Sequence, residues 1–367
     1  MKKDDGDDDD SSSPQQCVFI GNKNNGAASS IPPAPLPQSI PANKGSTRAL
    51  SRRNRVYVYR EFLISTFPLL KSSSSSSSSP LPSSSDNAYN ILDVAGGRGD
   101  LSWLLNNIDG LNSIIADPRI PNHKSLVKST EFLIAHPEEA AVRAVEGVPT
   151  HQPLAKLLLP RLMERRKEKN CDEVYDHYLS IPLHLRIHVD DNLVQTVKRV
   201  FGSSEYSDEE RMNIWDDYWQ KETCRIESNK VVYGGTPSAS TTDKGHPQQE
   251  GNNSGQQQRK QQITDSRSAY DAIRSLDYIA GFHPDQATEA AIDLALFLKI
   301  PWAVVPCCVF PKEFPNRQVN GSKVKNHSQL IEYLCMKHER IRKSTLSFVE
   351  TATAKNVVLY MLKEDYD

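Results

Sequence analysis

Short apolar runs alternate with amphipathic spans along much of the chain. The predicted strands are residues 90–95, 112–117, 276–282, 302–308, 344–349 and 357–362. The first four are nearly continuous in apolar residues, which is typical of parallel strands that are buried on both faces. Helical spacing fills residues 284–298 and 327–341, and the last two strands are close enough to pair antiparallel. This pattern predicts an α/β fold with a mostly parallel sheet, helices on both faces and a closing antiparallel strand pair.

Three segments lack any such pattern. Residues 1–55 contain an aspartate run and a proline cluster, residues 72–88 are mostly serine, and residues 234–264 are rich in Gly, Ser, Thr, Gln and Asn. These compositions bury too little apolar surface to offset the entropy of ordering the chain. We therefore expect a disordered N-terminal tail, a flexible tether and a disordered loop, with residues 56–367 forming one domain.

The middle of the chain, residues 120–270, is predicted to be a large insertion that contains this loop. Residues 154–162 and 215–219 have helical spacing, while residues 183–189 alternate between apolar and polar side chains and predict a third strand.

An amphipathic helix is predicted ahead of the first strand, ending near Pro68. Its apolar positions fall at i, i+3, i+4 and i+8, and they are Tyr59, Phe62, Leu63 and Phe67. Such a stripe needs a core on which to dock.

Composition narrows the class of protein. The chain carries 44 Lys and Arg against 46 Asp and Glu, for a net charge of −2, which argues against global electrostatic binding of nucleic acid. Its apolar runs fall short of the roughly 20 residues of a membrane helix. Lys2 and Lys3 lead directly into aspartates rather than an apolar segment, so no secretory signal is predicted. The six cysteines lack CxxC spacing; we interpret them as free thiols in a cytoplasmic or nuclear protein.

A glycine-rich turn follows the first strand. Asp93 lies near the end of that strand, and Gly96, Gly97 and Gly99 come directly after the strand. Glycines at a strand-to-helix turn let the backbone approach a ligand closely. The turn does not fit the GxGxxG pattern of a dinucleotide site, because Ser102 stands where the last glycine belongs, and the sequence has no P-loop motif.

The acid, the glycines and their spacing resemble the first motif of Rossmann-fold S-adenosylmethionine-dependent methyltransferases. The resemblance implies a Rossmann-like sheet in which the loop wraps the methionine part of S-adenosylmethionine and Asp93 supports its charged amine. Asp117, at the end of the second strand, would hold the ribose hydroxyls, and its offset of roughly 20 residues suits any nucleotide-binding β-α-β unit. Asp190 or Asp191, after the third strand, would face the adenine or be a surface acid. The simpler alternative for the loop is a tight turn.

Candidate chemistry also follows the fourth strand, where His283 and Asp285 flank Pro284. Pro284, Asp285 and Glu289 suit the start of a helix. A histidine beside an aspartate at a pocket mouth is equally a candidate general base or substrate ligand. The same His-Pro-Asp triplet in a J-domain co-chaperone joins two helices, whereas here an apolar strand precedes it.

The segments HPDQATE and VVPCC together resemble a methyltransferase branch that acts on ribose in the tRNA acceptor stem, with its methyltransferase-like relatives. His283, Ala287–Thr288, Glu289 and Cys307–Cys308 match in type and order, whereas residues 284–286 depart from the branch pattern. Free cysteines are commonly small buried hydrophobes, but a nucleophilic or metal role stays open here; we predict no metal site of the zinc-module kind.

Methyl transfer from S-adenosylmethionine is therefore the predicted activity, with RNA as a possible substrate. Basic residues that suit a phosphate-bearing acceptor, or a plain solvated helix face, are Arg161, Arg165, Arg166, Lys167 and Lys169. The alternative is a non-catalytic protein of the same fold that serves as a partner-binding scaffold. The sequence leaves the oligomeric state open.

Overall fold

The computed structural model describes residues 54–68, 70, 90–146, 151–167, 180–229, 261–347 and 355–367. Its strands are β1 (Asn90–Val94), β2 (Asn112–Ala116), β3 (Leu183–Leu185), β4 (Gln262–Ile263), β5 (Tyr278–Phe282), β6 (Trp302–Val305), β7 (Gln318–Val319), β8 (Ser322–Lys323), β9 (Arg342–Thr345) and β10 (Val357–Met361). Its α-helices are α1 (Arg55–Thr66), α2 (Asp100–Asp109), α3 (Lys124–Ala135), α4 (Pro137–Ala144), α5 (Pro153–Lys167), α6 (Asp191–Gly202), α7 (Asp208–Ser228), α8 (Ser266–Arg274), α9 (Thr288–Leu298) and α10 (His327–Cys335). The predicted tether lies outside the described residues, and so do residues 1–53 of the predicted tail.

Eight strands form one sheet in the order β4-β3-β2-β1-β5-β6-β10-β9. The strands from β4 to β6 pair in parallel, while β10 pairs antiparallel with both β6 and β9. The predicted α/β class, mostly parallel sheet and closing antiparallel pair are confirmed. Chain order runs outward from β1 to β4 on one side and from β5 to β6 on the other, so the topological switch point lies between β1 and β5. In such sheets, ligands bind outside the carboxyl ends of the strands at this point.

Helices cover both faces because alternate side chains of each strand enter different cores. Leu92 packs in one core with residues of α6, α9 and α10, while Ile91 packs in the other with residues of α1 and α2. The predicted stripe of α1 is buried against this second core. Arg60 of α1 also forms a buried ion pair with Asp109 at the end of α2.

Two predictions for the middle of the chain need correction. The predicted strand at residues 183–189 pairs only through Leu185. Beyond it the chain turns, because the Ile187 N–H donates to the Leu185 carbonyl at 3.0 Å. The predicted disordered loop is too long at its carboxyl end. Gln262 and Ile263 form β4 alongside β3, and Ile263 is buried. The rest of that loop, residues 234–260, lies outside the described residues. Within the described ranges, no helix combines the length and apolarity needed to cross a bilayer.

Candidate functional site

A cavity of about 200 Å³ opens at the switch point, where β1 and β5 end. The residues that line it are Val56, Asp93, Gly96, Arg98, Asp100, Leu101 and Phe282. They come from α1, the end of β1, the glycine loop, the start of α2 and the end of β5. The predicted glycine loop therefore lies where the topology of the sheet favours ligand binding.

Asp93 is buried at the base of this cavity. Its Oδ2 accepts hydrogen bonds from the Ser102 hydroxyl at 2.8 Å and from the Ser102 backbone N–H at 3.3 Å. Burial, together with the charges of Asp117 and Asp100, raises the pKa of Asp93 to about 7, although the Ser102 hydrogen bonds act to lower it. A cationic ligand group beside Asp93 would favour the charged carboxylate.

Two glycines of the loop are packed so closely by neighbouring side chains that a Cβ would not fit. A Cβ at Gly96 would lie 2.7 Å from Oδ2 of Asp93. Gly99 has φ of +75°, and a Cβ there would lie 2.4 Å from Cε1 of His123 and 2.6 Å from Cδ1 of Ile115. The loop thus needs glycine for close packing at Gly96, and for both backbone conformation and packing at Gly99.

The glycine loop and Asp117 lie in direct contact. The N–H of Gly97 donates to Oδ2 of Asp117 at 2.9 Å. Arg119 donates to the same carboxylate from its backbone N–H at 2.8 Å and from its guanidinium at 2.9 and 3.0 Å. Asp117 is fully buried under the half-exposed Arg119. Its oxygens therefore already accept bonds from the protein, and Asp117 is not among the described residues that line the cavity.

Asp190 makes contacts that stabilise the fold. Its side chain caps α6 by accepting from the Leu193 N–H at 3.2 Å, and it pairs with Arg225 at 2.6 Å. Asp191 is the first residue of α6. Neither acid is among the described residues that line the cavity, so the structure does not bring the predicted adenine contact to the site.

His283 follows β5 directly and has the left-handed φ of +56°. Its ring stacks on Phe282, a cavity residue, with centroids 4.4 Å apart. Its Nε2 lies 3.1 Å from the carbonyl oxygen of Lys355. Because a carbonyl only accepts, Nε2 carries the proton, and a neutral ring leaves Nδ1 as the acceptor. Burial lowers the pKa of His283 and so favours this neutral form.

Asp285 turns toward the end of β6. It has φ of +49°, and its Oδ1 accepts from the Cys307 thiol at 3.0 Å. Burial raises the pKa of the Cys307 thiol, and the bond and charge of Asp285 and the neighbouring Cys308 raise it further. Cys307 is therefore a protonated thiol at neutral pH. The four cysteines within the described residues are free, as predicted.

Glu289, the residue that matches the branch motif, belongs to a network of ion pairs. It pairs with Arg317 at 2.7 Å and with Lys337 at 2.8 Å, and it accepts from the Tyr333 hydroxyl at 2.5 Å. This network joins α9 to α10 and to the β7 segment. Among the roles open to Glu289, these contacts favour a structural one.

Sequence reasoning missed the contribution of α1 to the site. Val56 lines the cavity, and Tyr59 stacks on Phe282 with centroids 5.1 Å apart. The Tyr59 hydroxyl donates to the carbonyl of Ala303 at 2.7 Å and accepts from the Gly281 N–H at 3.2 Å. The apolar stripe predicts the helix, but no local signal indicates the strands on which it docks.

His123 is a second residue that the sequence did not single out. It is fully buried beneath Gly99, and neither ring nitrogen has a hydrogen-bond partner within the described part of the chain. Burial lowers the pKa of His123 to about 4, as do His184 and Arg98 nearby.

Comparison with known proteins adds no assignment. No protein-family model matches the chain, and neither a curated protein nor a solved structure shows significant similarity to it. The function of the site therefore has to be argued from its own geometry.

Proposed function

We propose that this chain is an S-adenosylmethionine-dependent methyltransferase. The observation that carries the proposal is the cavity at the switch point, whose walls are the glycine loop and the buried Asp93. An acid with a pKa of about 7 suits a ligand with a cationic amine, since the ammonium would favour ionisation of the carboxylate. Gly96 lines this cavity, and a Cβ there would lie 2.7 Å from Oδ2 of Asp93, so a side chain at this position would crowd the carboxylate that is proposed to hold the amine.

The residues present fit part of such a cofactor. Small-molecule sites usually measure about 300–1,000 Å³, so a cavity of about 200 Å³ suits one end of the molecule. Asp93 would hold the amino group, and Asp117 and the Gly97 N–H border the position that the resemblance gives to the ribose. S-adenosylmethionine supplies an electrophilic methyl group when it is bound.

The β5 side of the cavity would orient the methyl acceptor. His283 has an unprotonated Nδ1 in its neutral form and stacks on Phe282, which lines the cavity. It would accept the proton that the acceptor loses, while Asp285 fixes the turn that presents it. Catalysis would come mainly from positioning, as is general when two reactants are held in one site. RNA is the acceptor class we propose, because α5 carries Arg161, Arg165 and Arg166 along its sequence.

Calorimetry with S-adenosylmethionine tests this function on the full chain. Asp93→Asn should weaken binding by roughly 10- to 100-fold, because a charge-assisted hydrogen bond contributes about 1.5–3 kcal/mol. Asp271→Asn is the matched control, since Asp271 is an exposed acid of α8 that pairs with Arg267. A radiolabelled methyl screen across RNA, protein and small-molecule fractions then identifies the acceptor. Equal affinity of the wild-type chain and Asp93→Asn would contradict the proposed site.

One observation favours the second candidate, a non-catalytic scaffold. The Asp117 carboxylate is fully buried and already satisfied by Gly97 and Arg119. A ribose would have to replace the Arg119 bonds. Under the methyltransferase proposal, Arg119→Ala should leave S-adenosylmethionine affinity unchanged or higher, because it removes the competing donor. Absence of binding in both the wild-type chain and Arg119→Ala would favour the scaffold.

A further inference from the structure

The ends of β5 and β6 bring two thiols and a carboxylate together beside the cavity. One ligand atom each from Asp285, Cys307 and Cys308 lies within 4.8 Å of the other two. The Cys307 Sγ to Asp285 Oδ1 separation is 3.0 Å. Cys307 is buried, Cys308 is half-buried and Asp285 is exposed. The cluster is thus fixed on its inner side and reachable from solvent on its outer side.

We propose that Asp285, Cys307 and Cys308 bind one thiophilic divalent cation of the zinc class. Tetrahedral zinc has Zn–S distances near 2.3 Å and Zn–O distances near 2.0–2.2 Å, which place its ligand atoms roughly 3.5–3.8 Å apart. The ligand atoms of the cluster, which lie within 4.8 Å of one another, can reach this spacing without a change of fold. Soft thiolates select zinc over magnesium or calcium. Three protein ligands leave the fourth position for water or a substrate atom, as in catalytic zinc sites.

Local structure explains why the carboxylate points at the thiols. Asp285 has a left-handed backbone, at φ of +49°, and its carbonyl oxygen accepts from the Thr288 hydroxyl at 2.7 Å. At the next strand, His327 Nε2 contacts the carbonyl of Pro306, directly before the cysteines, at 3.0 Å. Both arms of the cluster are therefore held by bonds that do not use the proposed ligand atoms, which is what ligand orientation requires.

Binding would exchange protons for the metal without any redox change. The two thiol protons leave to solvent, two metal–sulfur bonds and one metal–oxygen bond form, and affinity therefore rises with pH. The cation would also compensate the charge of the Asp285 carboxylate beside the two thiolates. Metal binding at this site does not need S-adenosylmethionine, although Asp285 also belongs to the turn that presents His283.

Cobalt titration of the reduced, chelator-treated full chain tests the site. We expect one Co²⁺ per chain, with a near-ultraviolet thiolate charge-transfer band that Zn²⁺ abolishes. Cys307→Ser and Cys308→Ser should each lose the band, while Cys335→Ser, on α10 outside the cluster, should keep it. Asp285→Asn should weaken binding by roughly tenfold or more, since even outer partners contribute 10–100-fold.

Three outcomes would overturn the site: no charge-transfer band in the wild-type chain, an unchanged band in Cys308→Ser, or an unchanged Co²⁺ affinity in Asp285→Asn. These two residues are not fully buried, so their variants keep the test decisive if Cys307→Ser fails to fold. The titration contains no S-adenosylmethionine, and calorimetry of the cofactor contains no metal. Failure of the metal site and failure of the methyltransferase proposal are therefore distinguishable.

Discussion

The two sides of the switch point form their loops differently. After β1, Gly97 and Gly99 adopt left-handed backbone along with Ala95, whereas after β5 the two left-handed residues are His283 and Asp285. Glycine adopts this conformation without strain. Non-glycine residues in sparsely populated regions cost about 1–3 kcal/mol each and persist only where surrounding contacts hold them. The β1 loop therefore has glycine at two of its three left-handed positions, whereas both left-handed residues of the β5 loop depend on surrounding contacts.

Those contacts are visible on the β5 side. The His283 N–H donates to the carbonyl of Val305 and its ring to the carbonyl of Lys355. Asp285 is held by Thr288 and contacts Cys307. On the β1 side the acids are satisfied within the same β-α-β unit, Asp93 by Ser102 and Asp117 by Gly97. The comparison shows a loop whose acids are satisfied close by in the chain on the β1 side, and a loop held by contacts from other elements on the β5 side.

The largest expected effect is on the glycine side. Gly99→Ala should lower the free energy of unfolding by roughly 2–5 kcal/mol, because left-handed backbone costs about 1–2 kcal/mol and overpacking about 1–3 kcal/mol. Gly110→Ala is the matched control, since Gly110 has φ of +67° and a Cβ there would have nothing within 4 Å. Urea unfolding measures the free energy of unfolding of both variants. Equal losses in the two variants would show that His123 does not constrain the loop.

The second prediction concerns His283. Asn tolerates left-handed backbone, so His283→Asn should leave the free energy of unfolding within about 1 kcal/mol while removing the proton acceptor. Turnover should fall by roughly 10²-fold, the size of a general-base contribution, with cofactor affinity unchanged. His338→Asn, at a histidine after α10, is the control. Full turnover in His283→Asn would show that His283 is not the proton acceptor and that this loop has only a structural role.

Asp93 gives the glycine side a distinct pH dependence. Its folded pKa of about 7 lies above the ordinary value of 3.8, so the folded state binds the proton more tightly than the unfolded state. The stability from protonated Asp93 is complete below pH 4 and is lost as the pH rises through 7. Relative to Asp93→Asn, the wild-type free energy of unfolding should fall between about pH 4 and pH 7. Denaturation of both chains at several pH values measures this fall. A difference in the free energy of unfolding between wild type and Asp93→Asn that stays constant with pH would contradict the prediction.

Cofactor affinity should follow the opposite trend. Ionised Asp93 pairs with a cationic amine, so affinity should rise by up to about tenfold per pH unit up to about pH 7. Asp93→Asn should abolish this slope. Calorimetry across the same range separates the effect on binding from the effect on folding.

The smallest expected effect on the free energy of unfolding concerns the segment before β4, the outermost strand on the β1 side of the sheet. Replacing residues 234–260 by a short glycine-serine link should change the free energy of unfolding by less than about 1 kcal/mol, because loop closure varies by about 0.6 kcal/mol per doubling of length. Extending the deletion through residue 264 removes β4 and its buried Ile263. This should lower the free energy of unfolding by about 1.5–3 kcal/mol, the contribution of burying such a side chain. Thermal melting compares the two deletions. Equal melting temperatures would show that β4 adds no stability.

Most of the strand and helix predictions depended on periodicity, and they are confirmed where packing agrees with it. β1, β2 and β10 lie within one or two residues of their predicted ends. β3 ends at Leu185, where the Ile187 N–H donates to the Leu185 carbonyl and closes a turn, and the alternating pattern of residues 183–189 carries no signal for that turn. β4 was missed because two residues carry no detectable period.

The sequence alone determined the features that depend on residues close together in the chain. The glycines, Asp93 and Asp117 lie within one β-α-β unit, so their spacing along the chain limits how far apart they can lie in space. Only the tertiary structure decided that Tyr59 reaches Ala303, 244 residues away, and that Asp285 meets Cys307 across two neighbouring strands. These contacts follow from strand order and helix docking. Apolar periodicity shows that a face is buried, but it carries no information about which surface covers it.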